Sequence, residues 1–215
     1  MNPQIPQQSQ SPEYTIRTHR PGDIGWIIHR HAALYENEQG WGTKMEALVC
    51  KVGAEFLDNY DVSIDRCWIA ERNDEFLGCA VLVRDRELID TAKLRLLLVE
   101  PSARGLGLGR ALIEQCTRFA RETGYARIRL WMQNVLVSAR RLYANEGYRL
   151  VSAEDHVVLG RGILGIVGSW FCEGDVYFRK GKVNLDESCA EFGMLSLEFL
   201  DSALVLRFGL LENVI

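Results

Sequence analysis

The order of elements readable in the chain predicts an α/β fold, one layer of mixed sheet flanked by helices. Three observations carry that expectation. Two strand-like stretches, "RCWIAER" and "EFLGCAVLV", flank the turn pair Asn73-Asp74; a third, "KLRLLLV" at 93–99, stops before Pro101; and the glycine-dense "RGLGLG" at 104–109 runs straight into an apolar-periodic segment. Strands followed by helical segments ask for helices packed against a sheet.

From Asp23 to about Gln39, Trp26, Ile27, Ala33 and Leu34 recur near helical spacing behind Pro-Gly-Asp, so a first helix capped by Asp23 is expected. Thr43 followed by Glu46 is a capping-box signature, and Met45, Leu48, Val49, Val52 and Phe56 then hold a 3.6 period to about Asn59. Arg66–Arg72 and Glu75–Val83 read as a hairpin, because Asn-Asp suits a tight two-residue turn. Behind the glycines, Leu108, Leu112, Cys116, Phe119 and Ala120 form one stripe that ends at Gly124, where a helix C-terminus favours glycine. Ile128–Met132 is the next strand, Ser138–Glu146 a short helix ending at Gly147, and Tyr148–Val151 the start of another strand.

Composition narrows the function classes. The 215 residues are 47% hydrophobic with a formal net charge of -4, which suits one buried core and gives no reason to expect nucleic acid as a partner. The basic clusters Arg140-Arg141 and Arg179-Lys180 are too short for a nucleic-acid footprint. Six cysteines (Cys50, Cys67, Cys79, Cys116, Cys172, Cys189) stand far apart without a CxxC pair, which fits a reducing compartment and small core hydrophobes. Residues 1–13 read as a disordered leader without a targeting pattern, and Val157–Phe171 is too short and too interrupted to span a bilayer, so a cytoplasmic location is expected.

The spacing of the glycines excludes two familiar phosphate motifs. A G-x-G-x-x-G fingerprint fails because Arg110 or Leu112 occupies the third glycine position, and the Gly-Lys-Ser/Thr of a P-loop is absent. What remains is a turn with bare amides at the start of a helix, an arrangement suited to an anion through its orphan N–H groups and the macrodipole. The turn reads as a phosphate or pyrophosphate cradle.

Arg104-Gly105-Leu106-Gly107-Leu108-Gly109 follows the R/Q-x-x-G-x-G/A pattern, and together with the strand before it, the helix after it, and Asn134, Ala139, Leu142-Tyr143 and Gly147-Tyr148 downstream, the sequence resembles the GNAT acetyltransferase family from about Tyr14 to about Gly160. "HRPGD" at 19–23, "HRH" at 29–31 and the 94–109 stretch also resemble the acetyltransferase module fused to MarR-type regulators. The resemblance implies a mostly antiparallel sheet with a splayed central pair of strands over 14–160. It implies acetyl-CoA as co-substrate, with pantetheine along Leu96 to Val99 and pyrophosphate on the amides from Leu106 to Arg110. The same likeness gives Arg104, Gly105, Gly107, Leu108 and Gly109 to the cradle, places Asn134 along the groove, makes backbone N–H near Leu98 the carbonyl polariser and makes Tyr143 the proton donor to the departing thiolate.

One departure bears on the acceptor. Where many members carry a carboxylate base early on this strand, Lys93 stands, with Arg95 two residues on. Either water or another acid, such as Glu38 or Glu71, takes the amine's proton, or the two cations hold the carboxylate of an amino-acid-like substrate; a third reading makes them the solvated face of an alternating strand. Tyr35, Glu38 and Trp41 line an acceptor cleft on the resemblance and are packing residues otherwise. His29 and His31 alternate on a helix, so their rings point apart and no metal site is expected. The activity expected is N-acetylation of a small amine or amino-acid-like acceptor. Alternatives are a protein lysine or N-terminal acetyltransferase and a non-catalytic acyl-CoA-binding module. Residues 161–215 depart from the family pattern and read as a divergent extension, either a homodimerisation element or a segment without settled structure.

Overall fold

A computed structural model of the chain describes residues 14–133, 135–149, 154–155 and 166–167. The strand expected from Tyr148 to Val151, and the 161–215 extension expected to hold a closing strand, fall largely outside these residues.

The elements are β1 (Thr15–Thr18), α1 (Asp23–Gln39), α2 (Gly42–Asn59), β2 (Arg66–Arg72), β3 (Glu75–Arg84), β4 (Thr91–Val99), α3 (Leu108–Thr123), β5 (Arg127–Leu130), α4 (Val137–Asn145), and the short pair β6 (Glu154–Asp155) and β7 (Ile166–Val167). The main sheet runs β1-β2-β3-β4-β5, antiparallel except for the parallel pair β4 and β5. β6 and β7 pair antiparallel in a separate ladder. The sequence reading missed β1, a four-residue edge strand whose pattern is too short to show a period.

Local chemistry explains most boundaries. Asn73 and Asp74 both take positive φ, 52° and 64°, as a two-residue hairpin turn with the twist of its strands requires. Gly124 sits at φ 86° with its N–H on the carbonyls of Ala120 and Arg121, and Tyr125 N–H reaches Ala120 O at 2.9 Å, which closes α3. Both expected N-caps are corrected by the structure. α1 starts from Gly22, and the Asp23 carboxylate instead accepts from the Arg20 amide at 2.6 Å and from the Arg17 guanidinium. α2 starts from Trp41 with no side-chain cap, so Thr43 lies inside the first turn.

The sheet separates two apolar layers. On one face Leu108, Leu112, Ile113, Cys116 and Ala120 of α3, with Tyr143 of α4, cover Ala80, Leu82, Ala92, Leu94, Ile128 and Leu130. On the other, Ile24, Ile27 and Leu34 of α1 and Phe56 of α2 cover Cys67, Ile69, Cys79, Val81 and Leu98. The buried thiols are core groups: burial pushes Cys67 up to about 12 and Cys79 well above its ordinary value. Burying a side chain of this size stabilises by about 1.5–3 kcal/mol, and α3 contributes several.

Candidate active site at a fork between two strands

β4 is paired on both edges for only part of its length. The β4/β5 register runs Thr91↔Arg127, Ala92↔Ile128, Lys93↔Arg129, Leu94↔Leu130 and stops, while β3 stays paired with β4 as far as Val99. Beyond Leu94, the edge of β4 that faced β5 has no ladder partner among the described residues. Backbone groups left this way seek another partner, and a ligand bearing amides can supply one.

The open stretch leads into the glycine turn. Pro101–Ala103 forms one 3-10 turn, Gly105 and Gly107 take φ 85° and 73°, and Gly107 is the N-cap of α3 without any side-chain cap. The first-turn amides of α3 therefore lack protein partners by helix geometry. The Leu106 amide differs, since it closes the turn on Ala103 O at 3.4 Å.

Gly109 has another reason to be glycine. A Cβ there would lie 3.1 Å from Leu142 Cδ2 and 3.7 Å from Val99 Cγ2, so this residue lets α4 approach the start of α3. Gly78, which the sequence reading did not single out, does the equivalent below: a Cβ would come within 2.5 Å of Leu98 O and 3.3 Å of Leu108 Cδ2. Together they bring the N-terminus of α3 down onto the end of β4.

Tyr143 lies on α4, 5% exposed, beside the Tyr148 ring at 5.6 Å between centroids. Arg110 pairs with Glu146 at 3.2 Å, tying α4 to the first turn of α3. Leu98 is buried on the opposite face, and Val99 is half-buried beside Gly109. Asn134 lies outside the described residues.

The acceptor candidates are distributed unevenly. Arg104 pairs with Glu38 at 2.6 Å, so Glu38 is held at the glycine turn. Glu71 is bound by Arg17 at 2.8 Å on β2, two strands from the fork. Tyr35 stacks on Trp41 at 4.8 Å, and burial pushes its hydroxyl up to about 12. His31 is a core residue: Nδ1 lies 2.9 Å from Ile27 O, Nε2 has no hydrogen-bond partner, and burial pushes its pKa down to about 4. His29 is exposed and stacks on Trp26, and no group of three His, Cys, Asp or Glu among the described residues could hold a metal.

Lys93 and Arg95 share the α1–α2 face, although alternation alone does not put them there. The register passes from Leu82↔Leu94 to Val81↔Leu96, which makes Arg95 the extra residue of a bulge, and its guanidinium reaches Glu55 of α2 at 3.1 Å. Lys93 is flanked by Ala92 and Leu94, both on the α3 face, and so points to the other. Burial, with the Arg95 charge second, holds its ammonium below the ordinary lysine value.

Two buried charged groups, Glu100 and Arg129, escaped the sequence reading with their ion pairs. Glu100, 7% exposed at the end of β4, receives a two-pronged bond from Arg30 of α1 at 2.6 and 2.8 Å. Arg129 of β5, also buried, contacts Asp85 at 3.3 Å and Glu87 at 3.4 Å. Their partners lie 70 and about 40 residues apart, and no local pattern announces them.

An open parallel pair next to an uncapped glycine turn is the arrangement the resemblance implied. The sequence profile described as Acetyltransferase (GNAT) family matches residues 30–148, more than half of the chain. The chain belongs to the GNAT family. Solved structures agree on the GNAT fold: an acetyltransferase from Streptococcus agalactiae aligns at TM-score 0.55 and 21% identity over 65% of this chain and 85% of its own. A GNAT family acetyltransferase from Elizabethkingia anophelis with acetyl-CoA bound aligns at 0.50 and 18% over 68% and 83%. Among curated relatives, the rat N-acetylaspartate synthetase is 33% identical over 92 residues, covering 43% of this chain and 30% of that protein. Human N-acetyltransferase 8B is 32% identical over 85 residues, 38% of this chain and 37% of that one. This GNAT chain thus spans about a third of the length of the curated relatives it matches.

Proposed function

We propose that the protein is an acetyl-CoA-dependent N-acetyltransferase for a small amine or amino-acid-like acceptor, with residues 14–160 as its catalytic domain. The observation that carries this reading is the coincidence of two local features: β4 loses its β5 partner at Leu94, and the uncapped N-terminus of α3 lies at the end of the same strand. The residues present fit the co-substrate, because Gly107 opens the cradle with left-handed backbone and the edge of β4 from Arg95 to Val99 can pair with pantetheine amides. A relative named N-acetylaspartate synthetase supports an amino-acid-like acceptor over a protein one. The added likeness to modules fused to MarR-type regulators carries no DNA-binding role.

Acetyl-CoA supplies an acetyl group activated as a thioester; the amine nitrogen bonds to its carbonyl carbon, the C–S bond breaks, and the products are an amide and the free thiol. The first-turn amides of α3 and the Arg104 guanidinium bind phosphate oxygens. A backbone N–H of β4 near Leu98 stabilises the charge that develops on the carbonyl oxygen. Tyr143 gives its hydroxyl proton to the thiolate, and the amine's own proton leaves through water. On β4 Lys93 stands where a carboxylate base would, Glu71 is bound by Arg17 two strands away, and Glu38 is paired with Arg104 at the glycine turn.

The reading is tested by free-thiol release from acetyl-CoA by the purified protein against amines, amino acids and basic peptides. Release with small amines or amino acids supports it. Tight acetyl-CoA binding without release for any acceptor replaces it with an acyl-CoA-binding module, and release with peptides alone makes the protein a protein acetyltransferase.

A further inference from the structure

The charges at the fork lie on one side of it. Ala92, Leu94, Ile128 and Leu130 all point into the layer under α3, so Lys93 and Arg129, their neighbours in the β4/β5 register, both point to the α1–α2 face, where Arg95 joins them through the bulge. α3 fills the first face with fully buried side chains, which leaves the α1–α2 face for an incoming acceptor.

The three cations differ in their partners. Arg129 is anchored: Asp85 Oδ2 takes its guanidinium while Asp85 Oδ1 accepts the amides of Glu87 and Leu88, so the 85–90 loop holds it in place. Arg95 gives one N–H to Glu55, whose side chain is 55% exposed, an ion pair of the kind a competing carboxylate displaces at little cost. Lys93 has neither a hydrogen bond nor an ion pair among the described residues, although it is half-buried and flanked by two guanidiniums. The Asp85 and Glu87 carboxylates act on this ammonium from a distance while paired with Arg129, so an anion placed directly against Lys93 gains a contact that neither of them makes.

We propose that Lys93 and Arg95, with Arg129 anchored behind them, form a carboxylate-binding subsite beside the fork, and that the acceptor is an amino acid carrying a second carboxylate. This rests on the acetyltransferase reading above and names its substrate class. Lys93 takes one carboxylate as its partner, and Arg95 takes the other by exchange with Glu55. Arg129 is a positioning residue that supplies charge across the strand pair.

Four acceptors on related skeletons separate the possibilities: L-aspartate with two carboxylates, L-alanine and β-alanine with one each, and ethylamine with none. In thiol-release assays at saturating acetyl-CoA, kcat/KM for L-aspartate is expected to exceed both alanines by at least about 10-fold and ethylamine by about 100-fold, the scale of one and two charge-assisted contacts. Lys93→Gln should raise KM for L-aspartate about 10-fold or more with kcat changed less than about threefold and acetyl-CoA affinity unchanged, and Lys93→Arg should restore part of the loss. Ethylamine used as well as L-aspartate overturns the subsite, as does a Lys93→Gln variant whose kcat falls equally for all four acceptors. If no acceptor is turned over, calorimetry of L-aspartate into the coenzyme A-loaded protein decides: binding lost in Lys93→Gln keeps the subsite while the transferase reading fails, and no binding to the wild type removes the subsite itself.

Discussion

On the α3 face, β4 contributes Ala92, Leu94, Leu97 and Val99 to a continuous apolar layer, whereas on the α1–α2 face it carries Lys93 and Arg95 ahead of Leu96 and Leu98. The first face is closed by side chains, with Gly78 and Gly109 making room for close approach and Gly107 turning into α3 with left-handed backbone. The second is crossed by ion pairs that join α1 and α2 to the strand and the turn, Arg30 with Glu100, Arg95 with Glu55 and Arg104 with Glu38. Under the proposed function, the difference assigns one strand two ligands, acetyl-CoA through backbone at its open edge and the acceptor through charge on the α1–α2 side.

Substitutions on each face can break or sharpen this division. The largest effect is expected from Tyr143→Phe on the α3 side, which removes the proposed proton donor and should lower kcat by about 10²–10⁴-fold with acetyl-CoA affinity unchanged. An equal loss of affinity in calorimetry would instead make Tyr143 a packing residue. Gly107→Glu places a negative charge in the cradle at a residue with φ 73° and should weaken acetyl-CoA binding by about 100-fold. Gly107→Ala carries only the backbone strain, so comparing the two variants separates charge from conformation.

On the α1–α2 side, two further effects are expected to be smaller, one in stability and one in affinity. His31 has a folded pKa of about 4 against an ordinary 6.5, so the unfolded chain binds the extra proton between those values. Its contribution to stability is fully present above about pH 6.5 and is lost as pH falls towards 4, at most about 3 kcal/mol. Urea titrations across that range should show the slope, and His31→Asn should flatten it; a slope unchanged in the variant would assign it to other groups. Smallest is Glu38→Gln, which removes a competitor for Arg104 in a pair with side chains 50% and 31% exposed. Acetyl-CoA affinity should rise less than about fivefold, and a fall would show that Glu38 orients Arg104 for binding.

How much was legible follows from how far apart the interacting residues lie. The Asn73-Asp74 turn, the glycine turn, α3 and its Gly124 stop were readable because each is set by residues within one or two turns of chain. The N-caps at Asp23 and Thr43 were misplaced because Arg17 draws Asp23 into an ion pair and Trp41 starts α2 two residues earlier. Lys93 and Arg95 were placed on one face by alternation, yet a bulge breaks that alternation and Glu55 brings Arg95 back. Glycines 105, 107 and 109 shared one motif in the sequence, but only the first two take left-handed backbone, while Gly109 makes room for Leu142.

The sequence by itself determined the α/β class and the strand–glycine turn–helix unit, since these depend on periodicity and on turn residues acting locally, and its motif residues carried the resemblance to the GNAT family. Only the tertiary structure decided where β4 parts from β5, that Gly78 lets α3 settle onto the strand, and that Arg129 stands beside Lys93 with Asp85 behind it. Strand separation, close approach and charge pairing are properties of segments distant in the chain, and their energies exist only once packing has brought those segments together.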